Sequence, residues 1–391
     1  MDQNPSDSPF KEHSLPPPPM TLEISASAVR ANLRLLRERS GPRAQLWIPV
    51  KADCYGHGLE LLLETICSLA DGLCVAAPEE AIAVRRFGGD LPLLVFFSEA
   101  AWTRGGERRE AIEAMIARNV IQTVVDRDEA RLLAETARRF GRRAEVHVKV
   151  DSGMGRSGIA AEDAPALVAW VRGMPDLRLT GIYTHFATSD EEDRGFMHRQ
   201  MALFQQVLEA CDGREGLTVH AANSAATLDM PETHFDMVRP GLATYGYLPS
   251  PYLNRPAPLR PAMRLISRLM PIKEVPAGSR CGYGLTHTFD RPSRLSRIPI
   301  GYGDGYFRSL SNRATVQIRG VDVPVRGRVS MDQIIVDVTD VPGVQRGDEV
   351  EVISADREAP HSVENLARLA GTIPHEVCCR LGGRIRRVLV D

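Results

Sequence analysis

The chain has 391 residues, of which 43% are hydrophobic and 25% charged, enough for two domains or for one large barrel with an appendage. A net charge of −2 and a pI near 6.6 give no electrostatic basis for binding nucleic acid or an anionic membrane surface. No apolar run approaches the roughly 20 residues that a membrane span needs, so we expect no membrane partner.

The first 20 residues, MDQNPSDSPFKEHSLPPPPM, are polar and proline-rich. They lack the basic start and apolar core of a signal peptide, so we expect residues 1–20 to be a disordered lead-in. The seven cysteines are an odd number without framework spacing, which is typical of reduced thiols in a cytoplasmic protein. The adjacent Cys378 and Cys379 suit neither a simple bridge nor a metal site, and we expect no metal.

From about residue 22, short β-rich runs alternate with amphipathic helical stretches, an order that predicts a parallel sheet. Eight such runs over about 230 residues predict a (β/α)8 barrel, with an open doubly wound sheet as the alternative. The runs are TLEIS (21–25), QLWIPVKA (45–52), LLVFF (93–97), VIQTVV (120–125), AEVHVKVD (144–151), LTGIYTHF (179–186), TVHAAN (218–223) and DMVRPGL (236–242).

After residues 249–261 the pattern changes to short alternating strands separated by glycine and proline turns, with one helix near residues 362–370. We therefore predict an α/β protein in which a barrel domain, residues 21–255, precedes a mainly β domain, residues 256–391.

The two-residue period of a strand predicts which side chains point into the barrel. In EVHVKVD, the valines share the outward face and the polar residues share the inward one. Inward polar residues accumulate at the C-terminal ends of the strands, which is where barrels of this kind build active sites. These residues are Lys51, Lys149, His185, Asn223 with Ser224, and Arg239.

Lys51 is the most informative of them, because only four of the 48 basic residues are lysines. The ordinary interpretation is a lysine that reaches water at the end of a strand. If it is buried instead, it must lower its pKa, find a partner or be modified. A lysine with a lowered pKa is a nucleophilic amine that forms Schiff bases with carbonyls.

Eight motifs in order resemble the alanine racemase family over about 360 residues. They are VKADCYGHG, HVKVDSGMGRSG, YTHFATSDE, ANSAAT, VRPGLATYG, CGYGLTHT, IGYGDGY and GRVSMDQ. The resemblance implies an N-terminal barrel that binds pyridoxal 5'-phosphate, a C-terminal β domain, and a homodimer with active sites between the subunits. It also implies alanine as the substrate and D-alanine for peptidoglycan as the use, although the sequence leaves open serine or other small amino acids.

By this resemblance, Lys51 holds the cofactor and acts as the base on one face of the substrate. Tyr283, from the other subunit, matches the second base on the opposite face. A phenol is a poor base unless a cation supports it, and His185 and Arg239 match the supporting positions. Arg239 also matches the residue that faces the pyridine nitrogen, where a permanent cation disfavours protonation of the ring and suppresses transamination.

For the cofactor phosphate, Tyr55, Ser224 and the backbone of Gly241 and Leu242 match family contacts. The family also has a tyrosine contact near the C-terminus, and here TIPHEV places His375 at that position. This is a departure that puts cofactor affinity in question. On its own, Asn223 before Ser224 would be interpreted as a helix N-cap.

Arg156 matches the residue that meets the substrate carboxylate, and the amide of Met331 matches the other carboxylate contact. Tyr302 matches a position near the substrate entrance. Lys149 matches a position that is carbamylated in some family members. An inward Lys149 seven residues before an inward Arg156 would be two buried cations, and a carbamate would pair with Arg156 and remove the repulsion.

Three alternatives are weaker. GMGRSG (153–158) is a G-x-G-x-x-G match that suggests a nicotinamide enzyme, but no acidic residue stands near the position of a ribose contact. Basic amino-acid decarboxylases share the two-domain plan, but Arg239 and the SMDQ motif disfavour them. A non-catalytic pyridoxal-phosphate homeostasis protein would be a bare barrel with no use for Tyr283.

Overall fold

The computed structural model describes residues 19–97, 106–211, 214–255 and 257–391. They form an N-terminal parallel barrel followed by a mainly β C-terminal part. The predicted lead-in lies outside the described residues, except for its last two, and the limits 21–255 and 256–391 remain predictions.

The N-terminal half alternates strands with helices, as the sequence predicts. Its elements are β1 (Thr21–Ile24), α1 (Ala26–Ser40), β2 (Gln45–Pro49), α2 (Lys51–Tyr55), α3 (Leu59–Cys67), β3 (Gly72–Val75), α4 (Pro78–Arg86), β4 (Leu93–Val95), α5 (Gly106–Ala117), β5 (Val120–Val124), α6 (Arg127–Phe140), β6 (Ala144–Asp151), β7 (Ile159–Ala160), α7 (Ala164–Arg172), β8 (Leu177–Tyr183), α8 (Gly195–Ala210), β9 (Thr218–His220), α9 (Ser224–Asp229) and β10 (Met237–Val238).

Eight parallel strands close into a barrel in the order β2, β3, β4, β5, β6, β8, β9 and β10. The circle closes because β10 pairs with β2, through Met237 opposite Gln45. The short strand β7 pairs with β6 as an addition to it. The predicted barrel is thus confirmed, and the open doubly wound alternative is wrong.

One predicted barrel strand is wrong and one was missed. TLEI forms β1, which lies between antiparallel β11 and parallel β20 of the C-terminal sheet rather than in the barrel. The eighth strand of the barrel is instead β3, GLCV, whose four residues are all buried. A short strand buried on both faces lacks the polar–apolar alternation that would distinguish it from the end of the preceding helix.

The predicted inward and outward faces of β6 are confirmed. Val146, Val148 and Val150 pack in one core cluster with α6 residues that include Ala130 and Leu133. In β2, the inward Trp47 forms a separate small cluster at the barrel interior with residues from the neighbouring strands, namely Cys74, Leu94, Ile121 and Met237.

The C-terminal part is mainly β, as predicted, and helix α10 coincides with the predicted helix near 362–370. Its elements are β11 (Met263–Arg268), β12 (Lys273–Val275), β13 (Arg280–Cys281), β14 (His287–Thr288), β15 (Ser293–Ile298), β16 (Thr315–Ile318), β17 (Val321–Arg326), β18 (Ile334–Asp337), β19 (Glu349–Ile353), α10 (Val363–Ala370), α11 (Pro374–Cys379) and β20 (Arg386–Leu389). One sheet has the order β12, β15, β18, β17, β16, β19, β11, β1, β20, and β13 pairs with β14 separately.

Candidate active site

The predicted polar residues of the strand ends do converge at the C-terminal mouth of the barrel. Lys51 directly follows β2, Lys149 lies near the end of β6, and His185 and Arg239 follow β8 and β10. The charge of Arg156 lowers the pKa of Lys51, Lys149 and His185, and the charge of Arg239 lowers the pKa of Lys149 and His185. These five side chains are therefore close enough to interact electrostatically. The mouth therefore holds a cluster of cationic and imidazole groups.

Lys51 is a largely buried amine in this cluster. Burial lowers its pKa, and Arg156 lowers it further, against the opposing effect of Glu80. The Nζ atom lies 5.9 Å from the ring centroids of both Tyr55 and Phe96. The amine is therefore biased toward the neutral, nucleophilic form, as the sequence analysis expects of a buried lysine.

The segment after Lys51 is a left-handed turn. Ala52, Asp53, Cys54 and Tyr55 have φ values between 50° and 54°, a conformation that costs L-residues roughly 1–2 kcal/mol each. Backbone hydrogen bonds from Gly56 to Ala52 and from Gly58 to Asp53 close the turn at 2.8 and 2.9 Å.

Two carboxylates also hold the turn. Glu80 Oε1 accepts from the Ala52 amide at 2.7 Å, and Asp53 Oδ1 accepts from the Leu59 amide at 2.7 Å. Four consecutive non-glycine residues in this region persist only where the surroundings determine them, which is typical of functional sites.

The turn delivers Tyr55 against the loop after β10. A Cβ atom at Gly241 would lie only 2.2 Å from Tyr55 Oη, so this position has room only for glycine. Within the described residues, the amides of Gly241 and Leu242 donate to no protein acceptor. A phenol hydroxyl beside two free backbone amides can bind an anion, and the late loops of a barrel are a usual phosphate site.

Ser224 lies at the same loop, because its Oγ accepts from the Ala243 amide at 3.2 Å. The helix N-cap that the residues alone predict is also present, since Asn223 Oδ1 accepts from the Ala226 amide at 3.1 Å. Ser224 is thus the first residue of α9 and a neighbour of the Gly241 loop.

His375 reaches this cradle from the C-terminal part. Helix α11 packs on the left-handed turn so closely that a Cβ at Gly56 would lie 2.2 Å from the Cys378 carbonyl oxygen. The His375 ring centroid lies 6.0 Å from that of Tyr55. Burial and Lys51 lower the pKa of His375, while Asp190 opposes the shift, so the ring favours its neutral form.

Arg239 is 3% exposed and is held by the barrel at both Nη groups. Nη2 donates to the carbonyl oxygens of Thr184 and Ala221 at 3.0 and 3.2 Å, and Nη1 donates to His220 Nδ1. Its guanidinium carbon lies 5.3 Å from the centroid of the Tyr183 ring.

His185 Nδ1 lies 3.4 Å from Arg239 Nη2, which places the two residues side by side as predicted. Burial and then Arg239 hold the pKa of His185 well below its usual range. The imidazole is therefore neutral at neutral pH, and the positive charge of this pair resides on Arg239.

Lys149 is buried, at 8% exposure, and its Nζ lies 5.8 Å from the centroid of Tyr183. Burial, Arg156 and Arg239 lower its pKa to about 8. Arg156, however, is exposed on the loop after β6. The expectation of two buried cations is therefore wrong for Arg156, although its charge still acts on Lys149.

The three remaining predicted residues lie on exposed loops of the C-terminal part. Tyr283 is 71% exposed, Met331 54% and Tyr302 44%. The Tyr302 and Met331 loops are joined, because Gly303 donates its amide to the Met331 carbonyl at 2.9 Å. None of the three contributes to the environment of Lys51 among the contacts of the described residues.

Sequence reasoning did not select His147, His220 or Tyr183 as site residues, although the structure places them directly beneath Arg239. The Tyr183 and His220 rings stack at 4.6 Å with an interplanar angle of 8°, and His220 binds both Arg239 and His147. The available signal was the alternation in β6, which already placed His147 on the inward face.

Nearly the whole chain is similar to known alanine racemases. The family described as "Alanine racemase, N-terminal domain" matches residues 24–249, and "Alanine racemase, C-terminal domain" matches residues 262–389. The alanine racemase of Syntrophobacter fumaroxidans is 40% identical over 365 residues, covering 92% of this chain and 95% of that protein. That of Desulfovibrio desulfuricans is 39% identical over 377 residues, covering 95% and 98%.

Solved structures agree as well. The alanine racemase from D-cycloserine-producing Streptomyces lavendulae has a TM-score of 0.88 at 37% identity, covering 96% of this chain and 98% of that one. The Bartonella henselae alanine racemase, a structure with covalently bound pyridoxal phosphate, has a TM-score of 0.83 at 27% identity, covering 96% and 100%.

Among the described residues, none of the helices combines the length and the apolar composition of a membrane span. Over the same residues, no group of three or more His, Cys, Asp or Glu side chains is arranged to hold a metal ion.

Proposed function

This chain belongs to the alanine racemase family, and on that basis we propose that it interconverts L-alanine and D-alanine by a two-base mechanism with pyridoxal 5'-phosphate as the cofactor. We further propose that it works in the cytoplasm and supplies D-alanine for peptidoglycan. The single observation that carries the proposal is the buried, pKa-lowered Lys51 at the same barrel mouth as the Tyr55–Gly241 cradle.

The residues of the mouth fit this cofactor. Lys51 would hold its aldehyde, and Tyr55, Ser224 and the amides of Gly241 and Leu242 would hold its phosphate, with His375 as a further contact. The fit is supported by the free amides at a loop where any Cβ would collide with Tyr55. When bound, the cofactor supplies an electron sink that makes the α-hydrogen of an amino acid acidic.

Lys51 takes or returns the α-proton on one face of the substrate, for which its lowered pKa suits it. One base that returns its own proton gives no inversion, so the opposite face needs a second group. Tyr283 fills that role. We assign the support of this phenol as a base to Arg239 and the adjacent His185, whose Nη2 and Nδ1 atoms lie 3.4 Å apart.

We propose that the second base comes from a partner subunit. Tyr283, Tyr302 and Met331 are exposed, and the Tyr302 and Met331 loops are hydrogen-bonded to each other, which is the expected state of residues that complete a neighbour's site. We therefore propose a homodimer in which each barrel mouth receives these loops from the other chain, with Tyr302 near the substrate entrance.

Arg156 and the Met331 amide bind the substrate carboxylate. Arg239 would be the residue at the ring nitrogen of the cofactor, where its permanent charge would disfavour protonation and so limit transamination. Alanine is the proposed substrate.

Lys149 is a candidate for carbamylation, because a pKa near 8 leaves part of the amine neutral at neutral pH. The neutral amine attacks carbon dioxide, an N–C bond forms and one proton leaves to solvent, so the product is an anion beside Arg156 and Arg239. Enzyme equilibrated with ¹³C-bicarbonate should give a carbamate NMR signal that is absent from Lys149→Arg. A spectrum without that signal in the unsubstituted protein would contradict this assignment.

The proposed function is tested by purifying the protein with its cofactor and following both directions by chiral chromatography. Lys51→Arg keeps the charge but removes the nucleophilic amine, so racemisation should fall by roughly 1,000-fold or more. Lys273→Arg, at an exposed position on β12, is the matched control and should match the unsubstituted protein. Racemisation that survives in Lys51→Arg would overturn the proposal.

A further inference from the structure

Three buried residues, one each in β6 and β9 and one directly after β10, form a hydrogen-bonded chain beneath the site. Arg239 Nη1 donates to His220 Nδ1, and His220 Nε2 lies 2.9 Å from His147 Nδ1. Their exposures are 3%, 0% and 2%, so bulk water does not compete for these groups. We call this set, Arg239–His220–His147, the histidine relay.

The donors and acceptors of the relay fix where each proton lies. Arginine has only donors and stays protonated, so His220 Nδ1 must accept. A neutral His220 then carries its hydrogen on Nε2 and donates it to His147 Nδ1, which leaves the hydrogen of His147 on its own Nε2. Burial and the charge of Arg239 lower the pKa of both histidines, which agrees with two neutral rings.

Packing prevents the rings from taking another arrangement. Tyr183 stacks on His220, and its hydroxyl donates to Thr123 Oγ1 at 2.9 Å because Thr123 itself donates to the Val95 carbonyl. On the other side, Gly181 leaves space for the His147 ring: a Cβ there would lie 2.6 Å from two of its atoms.

We propose that His147 is a positioning residue for Arg239. By accepting the Nε2–H of His220, it keeps the lone pair of His220 directed at the guanidinium. Nη2 is then held by two carbonyl oxygens and one Nη1 hydrogen by His220, which leaves Nε–H and the second Nη1 hydrogen as the donors that could face the cofactor ring. The inference rests on the proposed function, because the role assigned to Arg239 is to contact the ring of the bound cofactor.

The relay can be tested without any variant by long-range ¹H–¹⁵N NMR of the holoenzyme labelled with ¹⁵N-histidine. His220 should show a protonated Nε2 and an unprotonated Nδ1 throughout the neutral range, with the same tautomer for His147. A His220 that is cationic, or protonated at Nδ1, would overturn the proposal. This readout does not depend on catalytic activity.

Variants then separate positioning from folding. His147→Gln retains an acceptor for His220, whereas His147→Leu removes it and leaves a buried N–H unpaired. The quantity to measure is the transamination ratio, the number of cofactor molecules converted to the amine form per racemisation turnover with alanine. This ratio should rise roughly 10-fold in the His147→Leu holoenzyme, which is the size of effect expected when a supporting hydrogen-bond partner is lost. His147→Gln should remain within about 3-fold of the unsubstituted protein.

His234→Gln is the matched control, because His234 is a buried histidine that binds the backbone carbonyl of Thr227 at 3.1 Å, outside the relay. It should leave the transamination ratio unchanged. If His147→Leu also leaves that ratio unchanged, the proposal is wrong. If His147→Leu does not fold, a raised ratio in His147→Gln would itself contradict it. A holoenzyme that shows the expected tautomers but does not racemise alanine would refute the proposed function and leave the relay geometry intact.

Discussion

His375 is the residue at which this chain departs from the pattern that the other motifs follow. Its ring lies beside Tyr55, and the groups that act on it are Lys51, which lowers its pKa, and Asp190, which raises it. Without a bound phosphate, burial keeps the ring neutral. A phosphate dianion at the cradle would favour the imidazolium, so binding of the cofactor should take up a proton at this residue.

This linkage predicts a pH-dependent cofactor affinity. Because the protonated ring favours the phosphate, the affinity contributed by His375 is present at low pH and is lost as the pH rises. Relative to His375→Tyr, which does not titrate there, the dissociation constant of the unsubstituted protein should rise roughly 3- to 10-fold between about pH 6 and about pH 8. Equilibrium dialysis measures both constants.

The comparison with His375→Tyr cancels the titration of the phosphate itself and that of Lys51, since both proteins share them. Pyridoxal, which lacks the phosphate, serves as the control ligand and should give a ratio independent of pH. A flat ratio with pyridoxal 5'-phosphate as well would show that His375 does not interact with the phosphate.

The left-handed turn of residues 52–55 is an element that residue patterns do not predict. Gly56 and Gly58 mark a bend after β2, but nothing in ADCY indicates four consecutive residues at positive φ. The conformation is stabilised from outside, by Glu80 of α4 and by α11 of the C-terminal part. The conformation of the turn is therefore determined by tertiary contacts rather than by its local sequence.

The packing of α11 on this turn predicts an unusually severe glycine substitution. In Gly56→Ala, the new Cβ would meet the Cys378 carbonyl oxygen at 2.2 Å, in addition to the cost of a φ of 81°. Gly88→Ala is the matched control, with a φ of 87° and nothing within 4 Å.

We expect Gly88→Ala to lower the free energy of unfolding by about 1 kcal/mol and Gly56→Ala by about 2 kcal/mol more, as measured by urea denaturation. Gly56→Ala should also weaken cofactor binding, because it displaces α11 and His375. If the two substitutions lowered the free energy of unfolding equally, α11 would move away from the new Cβ of Gly56→Ala without a loss of stability.

Strands show clearly which elements could be predicted and which could not. The alternation in β6 predicted its inward and outward faces correctly, because one face packs under helices and the other carries polar groups. β1 alternates equally well, yet it pairs with β11 and β20, which lie some 240 and 365 residues further along the chain. A local pattern contains no information about such distant partners, so β1 was assigned to the wrong sheet.

The site was predicted only in part, because some of its residues follow from strand patterns and others depend on tertiary structure. Lys51, Lys149, His185 and Arg239 each lie near the C-terminal end of a barrel strand, and closure of the barrel brings strand ends together whatever the distances in sequence. The histidine relay could not be predicted, because it depends on the heights of His147 and His220 in two non-adjacent strands. The exposure of Arg156 also depends on the loop after β6 rather than on strand alternation.

Across the whole molecule, the proposed catalytic groups are divided between the barrel mouth and the exposed loops of the C-terminal part. If each site combines Lys51 of one chain with Tyr283 of another, two inactive variants should complement each other. Mixed and refolded subunits of Lys51→Arg and Tyr283→Phe would form hybrid dimers with one intact and one doubly substituted site.

Random pairing makes half of the dimers hybrids, and each hybrid has one working site of two, so the mixture should recover about a quarter of the unsubstituted activity. Each variant refolded alone should stay inactive. A mixture as inactive as its components would contradict shared sites and would require Tyr283 to act within its own chain or not at all.

The most direct test of two-base racemisation is proton NMR of the holoenzyme with L-alanine in D₂O, combined with chiral analysis of the same samples. We expect the α-proton signal to disappear while D-alanine accumulates, because Lys51 and Tyr283 exchange protons with solvent on opposite faces. Exchange with retention would mean that Lys51 acts without Tyr283. No exchange with the cofactor bound would contradict alanine as the substrate.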